Sequence, residues 1–156
     1  MAMEPETGHV KAYVGGPNYR YFKYDNARQG RRQVGSTIKP FLYSLAMQEG
    51  WTPCDQVVNV PQTFILSDTT WTPESVDKPE WIGRKVTLKW GLTKSSNNIS
   101  AYLMTQFGPQ AMVAMCHNLG IKSFLDPVVS LCLGPADLRP YDMVAAYNTF
   151  SNKGVS

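Results

Sequence analysis

Gly35-Ser36-Thr37-Ile38-Lys39-Pro40-Phe41 decides how this chain is read. Arg31-Arg32-Gln33-Val34 before it has the character of a loop, and Leu42-Tyr43-Ser44-Leu45-Ala46-Met47 after it is apolar enough for a buried helix. Ser36 therefore stands where a loop enters a helix, and Lys39 shares its face one turn on. A serine hydroxyl is a poor nucleophile until a neighbour takes its proton. A lysine can do so only when burial or a nearby cation lowers its pKa. The helix N-terminus favours charge developing on the serine, and its free N–H groups can hold an oxyanion. Pro40 is tolerated in the first turn, where its missing N–H would have had no helical partner. The stretch predicts a helix over residues 36–49, closed by Gly50. A chain of this length holds roughly one Ser-x-x-Lys by chance. A second match, Ser75-Val76-Asp77-Lys78, lies among Trp71, Pro73, Pro79 and Trp81 without helical period and reads as loop.

Before the helix, Glu4-Pro5-Glu6-Thr7-Gly8 is a turn, and His9-Val10-Lys11-Ala12-Tyr13-Val14 alternates like a strand with one face buried. Residues 1–16 thus predict a β-hairpin, and 15–35 a loop. After the helix, residues 51–85 show little helical period; Val57-Val58 and Phe64-Ile65-Leu66 suit short strands, and Trp71 and Trp81 a satellite apolar cluster. A helical run resumes at Val86-Thr87, with Thr87 as its cap. The polar run Thr93-Lys94-Ser95-Ser96-Asn97-Asn98 interrupts it before Ile99, Tyr102, Leu103 and Phe107 restart the period. Gly108-Pro109 starts a further helix that Gly120 closes. Pro127 to Leu133 is apolar and extended. Pro140 opens a last helix with Met143, Val144, Tyr147 and Phe150 inward, ending at Lys153-Gly154.

Ser96-Asn97-Asn98 is the second chemical cluster. A hydroxyl there can relay a proton between Lys39 and a leaving amine, and the amide of Asn98 can orient the lysine and hold a carbonyl. Ser95-Ser96-Asn97 fits the same Ser-x-Asn pattern. Serine and asparagine at a helix junction are also ordinary caps.

The 156 residues carry 43% hydrophobic residues, enough for a core, and a net charge of +3 too scattered to favour nucleic acid. Arg28, Arg31 and Arg32 form the one basic cluster, a solvated loop face. No apolar run is long enough to span a membrane, and Met1-Ala2-Met3-Glu4 does not open a signal peptide. Cys54, Cys116 and Cys132 make neither a metal motif nor a disulfide framework, and Cys116 and Cys132 read as core. His9 and His117 stand apart from other ligand types, so neither metal nor cofactor is expected.

In order, spacing and flanks, the chain resembles the transpeptidase domain of class A penicillin-binding proteins. Pro5-Glu6-Thr7-Gly8 with Ala12-Tyr13-Val14-Gly15-Gly16 matches that family's opening hairpin. Arg32-Gln33-Val34-Gly35-Ser36-Thr37-Ile38-Lys39-Pro40-Phe41 matches its Ser-x-x-Lys block. Val86-Thr87-Leu88 and Ser96-Asn97-Asn98-Ile99 match its Ser-x-Asn block, and Ala145-Ala146-Tyr147-Asn148-Thr149-Phe150-Ser151-Asn152-Lys153-Gly154 the helix end that follows. The resemblance implies an acyl-enzyme on Ser36, with Lys39 as base, Ser96 as relay and Asn98 holding a D-alanyl-D-alanine stem peptide. It implies beta-lactams as inhibitors and an address on the outer face of the bacterial cytoplasmic membrane. The third family motif, Lys-Thr-Gly or Lys-Ser-Gly on a strand, is absent. Residues 1–156 are therefore expected to be the front part of that domain, mainly helical α+β with a short antiparallel hairpin and an incomplete sheet. Little or no activity alone is expected, and apolar surface left open on the hairpin and on helix 36–49, or oligomerisation that covers it. The membrane anchor and glycosyltransferase domain implied by the family would precede Met1. A Ser-Lys hydrolase of beta-lactamase type, lacking a clear deacylating carboxylate, and a non-catalytic sensor of the same fold are the alternatives.

Overall fold

The computed structural model describes residues 1–152 and 154. In chain order the regular elements are β1 (Ala2–Met3), β2 (Val10–Ala12), β3 (Arg32–Gln33), α1 (Lys39–Gln48), β4 (Gln56–Val58), β5 (Phe64–Ile65), β6 (Thr70–Trp71), β7 (Lys85–Thr87), α2 (Leu88–Thr93), α3 (Asn97–Asn118), β8 (Asp137–Leu138) and α4 (Pro140–Ser151). The strands pair antiparallel, two by two: β1 with β2, β3 with β8, β4 with β7, and β5 with β6. The architecture is α+β, mainly helical with small antiparallel sheets. Among the described residues no helix is long and apolar enough to cross a membrane. The chain divides into two compact units.

One unit comprises Met1–Val34, Cys116–Leu125 and Ala136–Ser156. The expected hairpin is there. Gly8 N–H donates to Glu4 O (2.9 Å) and Glu4 N–H to His9 O (2.8 Å), closing its turn. All three β2 residues are exposed, so the expected buried face is not formed; Val10 is 42% and Val14 77% exposed. The helix that packs on β1 is α4, where Asn148 Nδ2 donates to Glu4 O (3.4 Å). It presents a different face from the one its apolar period suggested. Asp142, Ala146 and Thr149 turn inward, while Tyr147 and Phe150 are exposed and meet edge to face. The reason is the partnering of Asp142, whose carboxylate accepts from Arg139 and Ser123. A carboxylate so satisfied can be buried, and the spacing 142, 146, 149 is as helical as the one expected. Lys153, the expected end of this helix, lies outside the described residues.

The other unit comprises Gly35–Met115 and Asp126–Pro135. Here α1 begins at Lys39, not Ser36, because Gly35–Ile38 forms a tighter 3-10 turn. Gly50, at φ +89°, ends the helix as expected: Trp51 N–H donates to Ala46 O (3.0 Å) and Gly50 N–H to Met47 O (3.2 Å). Ile38, Phe41, Leu42 and Ala46 are fully buried, with α2 and the 3-10 turn Val129–Leu133 packed on the helix. The expectation of open apolar surface on this helix is therefore not met. Val86-Thr87 belongs to a strand rather than a helix, paired with β4, and the helix starts one residue later. Thr87 still caps it, accepting from Trp90 N–H (3.1 Å). Gly108, at φ +79°, bends α3 just before Pro109, the break read from the sequence. Pro127 to Leu133 is not extended: Leu131 N–H donates to Val128 O and Gly134 N–H to Leu131 O, which coils Val129–Leu133 and buries Leu131 and Cys132.

Candidate active site

The residues around Lys39 all come from this second unit. Ser36 lies in the 3-10 turn, is exposed, and its hydroxyl makes no hydrogen bond to any described residue. The backbone just before it is pinned: Gly35 N–H donates to Gly134 O (2.9 Å). Gly134 has φ +74°, and a Cβ there would stand 2.0 Å from Gly35 O. Both facts demand glycine. Gly134→Ala is expected to cost about 2–4 kcal/mol of stability, read as a lowered urea midpoint, because the collision is with backbone that cannot swing aside.

Lys39 is the opposite case. It sits in the first turn of α1 between buried Ile38 and Phe41, and is itself only 1% exposed. Its Nζ donates to Ser95 O (2.6 Å), Ser95 Oγ (3.2 Å) and Asn97 Oδ1 (2.7 Å). Burial pushes its pKa down, against an opposing attraction from Asp77. As an ammonium it donates to all three acceptors. As a neutral amine it keeps two N–H donors for the carbonyl and the amide oxygen, and its lone pair can accept from the Ser95 hydroxyl. The Cys132 thiol is also buried near Lys39, and burial raises it to about 12, so it is protonated at neutral pH and no nucleophile.

Of the Ser-x-Asn pair expected at the lysine, neither Ser96 nor Asn98 forms a hydrogen bond with it. Ser95 and Asn97 do. The polar junction between α2 and α3 explains why. Ser95 takes the position after the helix end where glycine is usual: its φ is +54°, Ser96 N–H donates to Gly91 O (2.8 Å), and Ser95 N–H to Leu92 O (3.0 Å). A left-handed serine costs about 1–2 kcal/mol, and here it directs both its carbonyl and its hydroxyl to Lys39. Ser96 then caps α3, its Oγ accepting from Ile99 N–H (3.3 Å) while donating to Asp77 Oδ2 (2.6 Å). Asn98 is buried and donates to Asn59 Oδ1 (2.8 Å) and Ser75 Oγ (3.1 Å). Asn97 completes the alternation: its Nδ2 donates to Glu74 O (2.8 Å), which fixes its oxygen on the lysine. Residues 95 and 97 thus serve Lys39, while 96 and 98 hold Asp77 and Ser75, and Asn97 also ties down Glu74 through its carbonyl. The Ser75-x-x-Lys78 match lies in that fastened loop, as the sequence suggested, with Lys78 exposed.

The sequence held one signal for this register. A serine at an N-cap is occupied by the amide three residues on, and placing the cap at Ser96 leaves Ser95 as the free hydroxyl. Nothing in the residue types announced Gly134 or Cys132 as neighbours of the turn and the lysine.

Comparison with known proteins gives a consistent picture. A family model described as the penicillin binding protein transpeptidase domain matches residues 1–130. Penicillin-binding protein 1A of Aquifex aeolicus is 31% identical over 156 residues, covering 99% of this chain and 21% of the relative. Penicillin-binding protein 2D of Bacillus subtilis is 33% identical, covering 98% and 22%. The chain therefore spans about a fifth of the length of these relatives. Among solved structures, penicillin-binding protein 1A from Haemophilus influenzae superposes with a TM-score of 0.88 at 29% identity, covering 96% of this chain and 22% of that one. PonA1 from Mycobacterium tuberculosis, in complex with penicillin V, gives 0.77 at 28% identity over 96% and 42%.

Proposed function

Since the chain belongs to the penicillin-binding protein transpeptidase family, we propose that Ser36 is the nucleophile of an acyl transfer on peptidoglycan stem peptides. Ser36 Oγ attacks the carbonyl between two D-alanines. Neutral Lys39 takes the hydroxyl proton, the C–N bond breaks, and the departing D-alanine amine receives a proton through Ser95. An amine of a neighbouring stem then attacks the Ser36 ester, forming the cross-link and freeing the serine. Asn97 holds the lysine and shares its amide with the bound peptide. A beta-lactam would enter by the same first step, its ring amide opening onto Ser36. The parent protein would work on the outer face of the bacterial cytoplasmic membrane.

The observation that supports this reading is Lys39, buried and held by Ser95 and Asn97 one turn from an exposed serine. An apo site need not show the serine–lysine hydrogen bond, which often tightens only with substrate. Residues 1–156 contain no Lys-Thr-Gly or Lys-Ser-Gly, so one wall of the groove would have to come from elsewhere, and acylation by this chain should be slower than in the longer relatives. Incubation with penicillin followed by mass spectrometry is expected to show a slow adduct confined to Ser36, absent from Ser36→Ala. An adduct on another residue, or none after prolonged incubation, would overturn the assignment.

A further inference from the structure

A polar pocket lies in the unit that does not contain Ser36. Arg28, Lys122 and Arg139 line it, together with Gly120, Tyr141, Asp142 and Ala145, around a cavity of about 310 Å³. Two of the three cations are held in place by separate contacts. Asp142 is buried and takes Arg139 in a fork, Nε to Oδ2 (3.0 Å) and Nη2 to Oδ1 (2.9 Å), while Ser123 Oγ donates to Oδ2 (2.9 Å). Of the guanidinium's five N–H groups two are thereby used and three remain. Arg28 lies over the Tyr141 ring, 5.6 Å from its centroid, on a segment anchored where Tyr141 N–H donates to Ala27 O (3.0 Å). Lys122 is exposed between buried Ile121 and Ser123, and its ammonium has no hydrogen bond or ion pair among the described residues.

The charges in the lining do not balance. Three cations face one carboxylate, and Asp142 is committed to Arg139 and Ser123. Asp25, which attracts Arg28, already accepts from the Ala27 and Arg28 N–H groups and the Tyr13 hydroxyl. The twelve-residue α4 begins at the same place, with Arg139 as its N-cap and no side chain capping it, so its dipole adds to the positive field. We propose that this pocket binds a phosphate group, as inorganic phosphate or as a small phosphate monoester. A planar fork, a point cation and a ring-braced guanidinium around a small hollow suit a tetrahedral dianion better than a flat carboxylate. The proposal does not depend on the chemistry assigned to Ser36.

Thermal unfolding of the whole chain in sodium phosphate, against sodium chloride at equal ionic strength, tests it. Phosphate is expected to raise the midpoint saturably, and the double variant Arg28→Gln/Lys122→Gln to weaken that response by about tenfold or more, as loss of charge-assisted hydrogen bonds implies. Both side chains are exposed, so the variant keeps its core, and its circular dichroism should match that of the parent chain. Lys85→Gln, in the other unit, should respond like the parent chain. A parallel measurement with phosphatidylglycerol vesicles separates the sources of phosphate: free phosphate should compete with any vesicle binding. Equal midpoints in phosphate and chloride, an undiminished response in the double variant, or vesicle binding that phosphate does not displace would each overturn the proposal.

Discussion

Lys39→Met is expected to slow acylation of Ser36 by penicillin by about 10²–10⁴-fold, the usual contribution of a positioned general base, and to abolish the pH dependence of that step. Burial holds the Lys39 pKa below its ordinary 10.5. Below the depressed value the amine is protonated and cannot take the Ser36 proton; above it the rate should rise to a plateau. Methionine fills nearly the same volume but has no basic nitrogen, so its residual rate should be flat across that range. Stability carries the same signature. Between the depressed value and 10.5 the unfolded chain holds a proton that the folded chain does not, so stability relative to Lys39→Met should rise with pH through that window and be lowest beneath it. Urea unfolding of both proteins at several pH values reads this difference, with all other groups cancelling. Removing the buried Lys39 nitrogen leaves Ser95 O and Asn97 Oδ1 without their donor, a penalty of about 1–3 kcal/mol, but also removes an ionisable group that is costly to bury. The net change at neutral pH should therefore be small against the change in rate. A variant that keeps the parental rate, or keeps its rise with pH, would remove Lys39 from the mechanism.

What could be read from residues alone was whatever one segment decides by itself. Gly50 and Gly108-Pro109 end or break their helices because of backbone geometry that neighbours do not alter. Thr87 caps α2 for an equally local reason. The misreadings have a common physical origin in distant partners. Val86-Thr87 is strand because β4 lies beside it. The inward face of α4 is set by Arg139 and Ser123 reaching Asp142, a balance that apolar counting leaves out. Val129–Leu133 coils because Leu131 and Cys132 pack where Gly134 meets Gly35. At the candidate site, the placement of Ser36 and Lys39 at one helix entry was legible because it depends on local spacing alone. The choice between two overlapping Ser-x-Asn registers depended on the left-handed backbone of Ser95 and on the loop carrying Glu74, Ser75 and Asp77.

That choice predicts an alternation along four successive residues. Ser95→Ala and Asn97→Ala should each lower acylation of Ser36 by about 10²-fold or more, on the scale of losing one preorganised hydrogen-bonding group in an active site. Ser96→Ala and Asn98→Ala should change the rate by no more than a few-fold. Their cost should be in stability, about 1–3 kcal/mol each. Ser96→Ala strips the α3 cap and leaves Asp77 without its donor, while Asn98→Ala opens the buried contact with Asn59 and Ser75. Rapid mixing with a fluorescent penicillin measures the first quantity and urea midpoints the second. Ser95→Gly separates the two most sharply, because glycine accepts φ +54° without strain. It should stabilise the chain by about 1 kcal/mol while losing the hydroxyl that meets Lys39. A chain made more stable and less reactive by one change cannot be explained as partly unfolded. If instead Ser96→Ala and Asn98→Ala abolish acylation in folded protein and Ser95→Gly leaves it intact, the proton passes through the other register, and the contacts of Lys39 with Ser95 and Asn97 are only the packing of a buried amine.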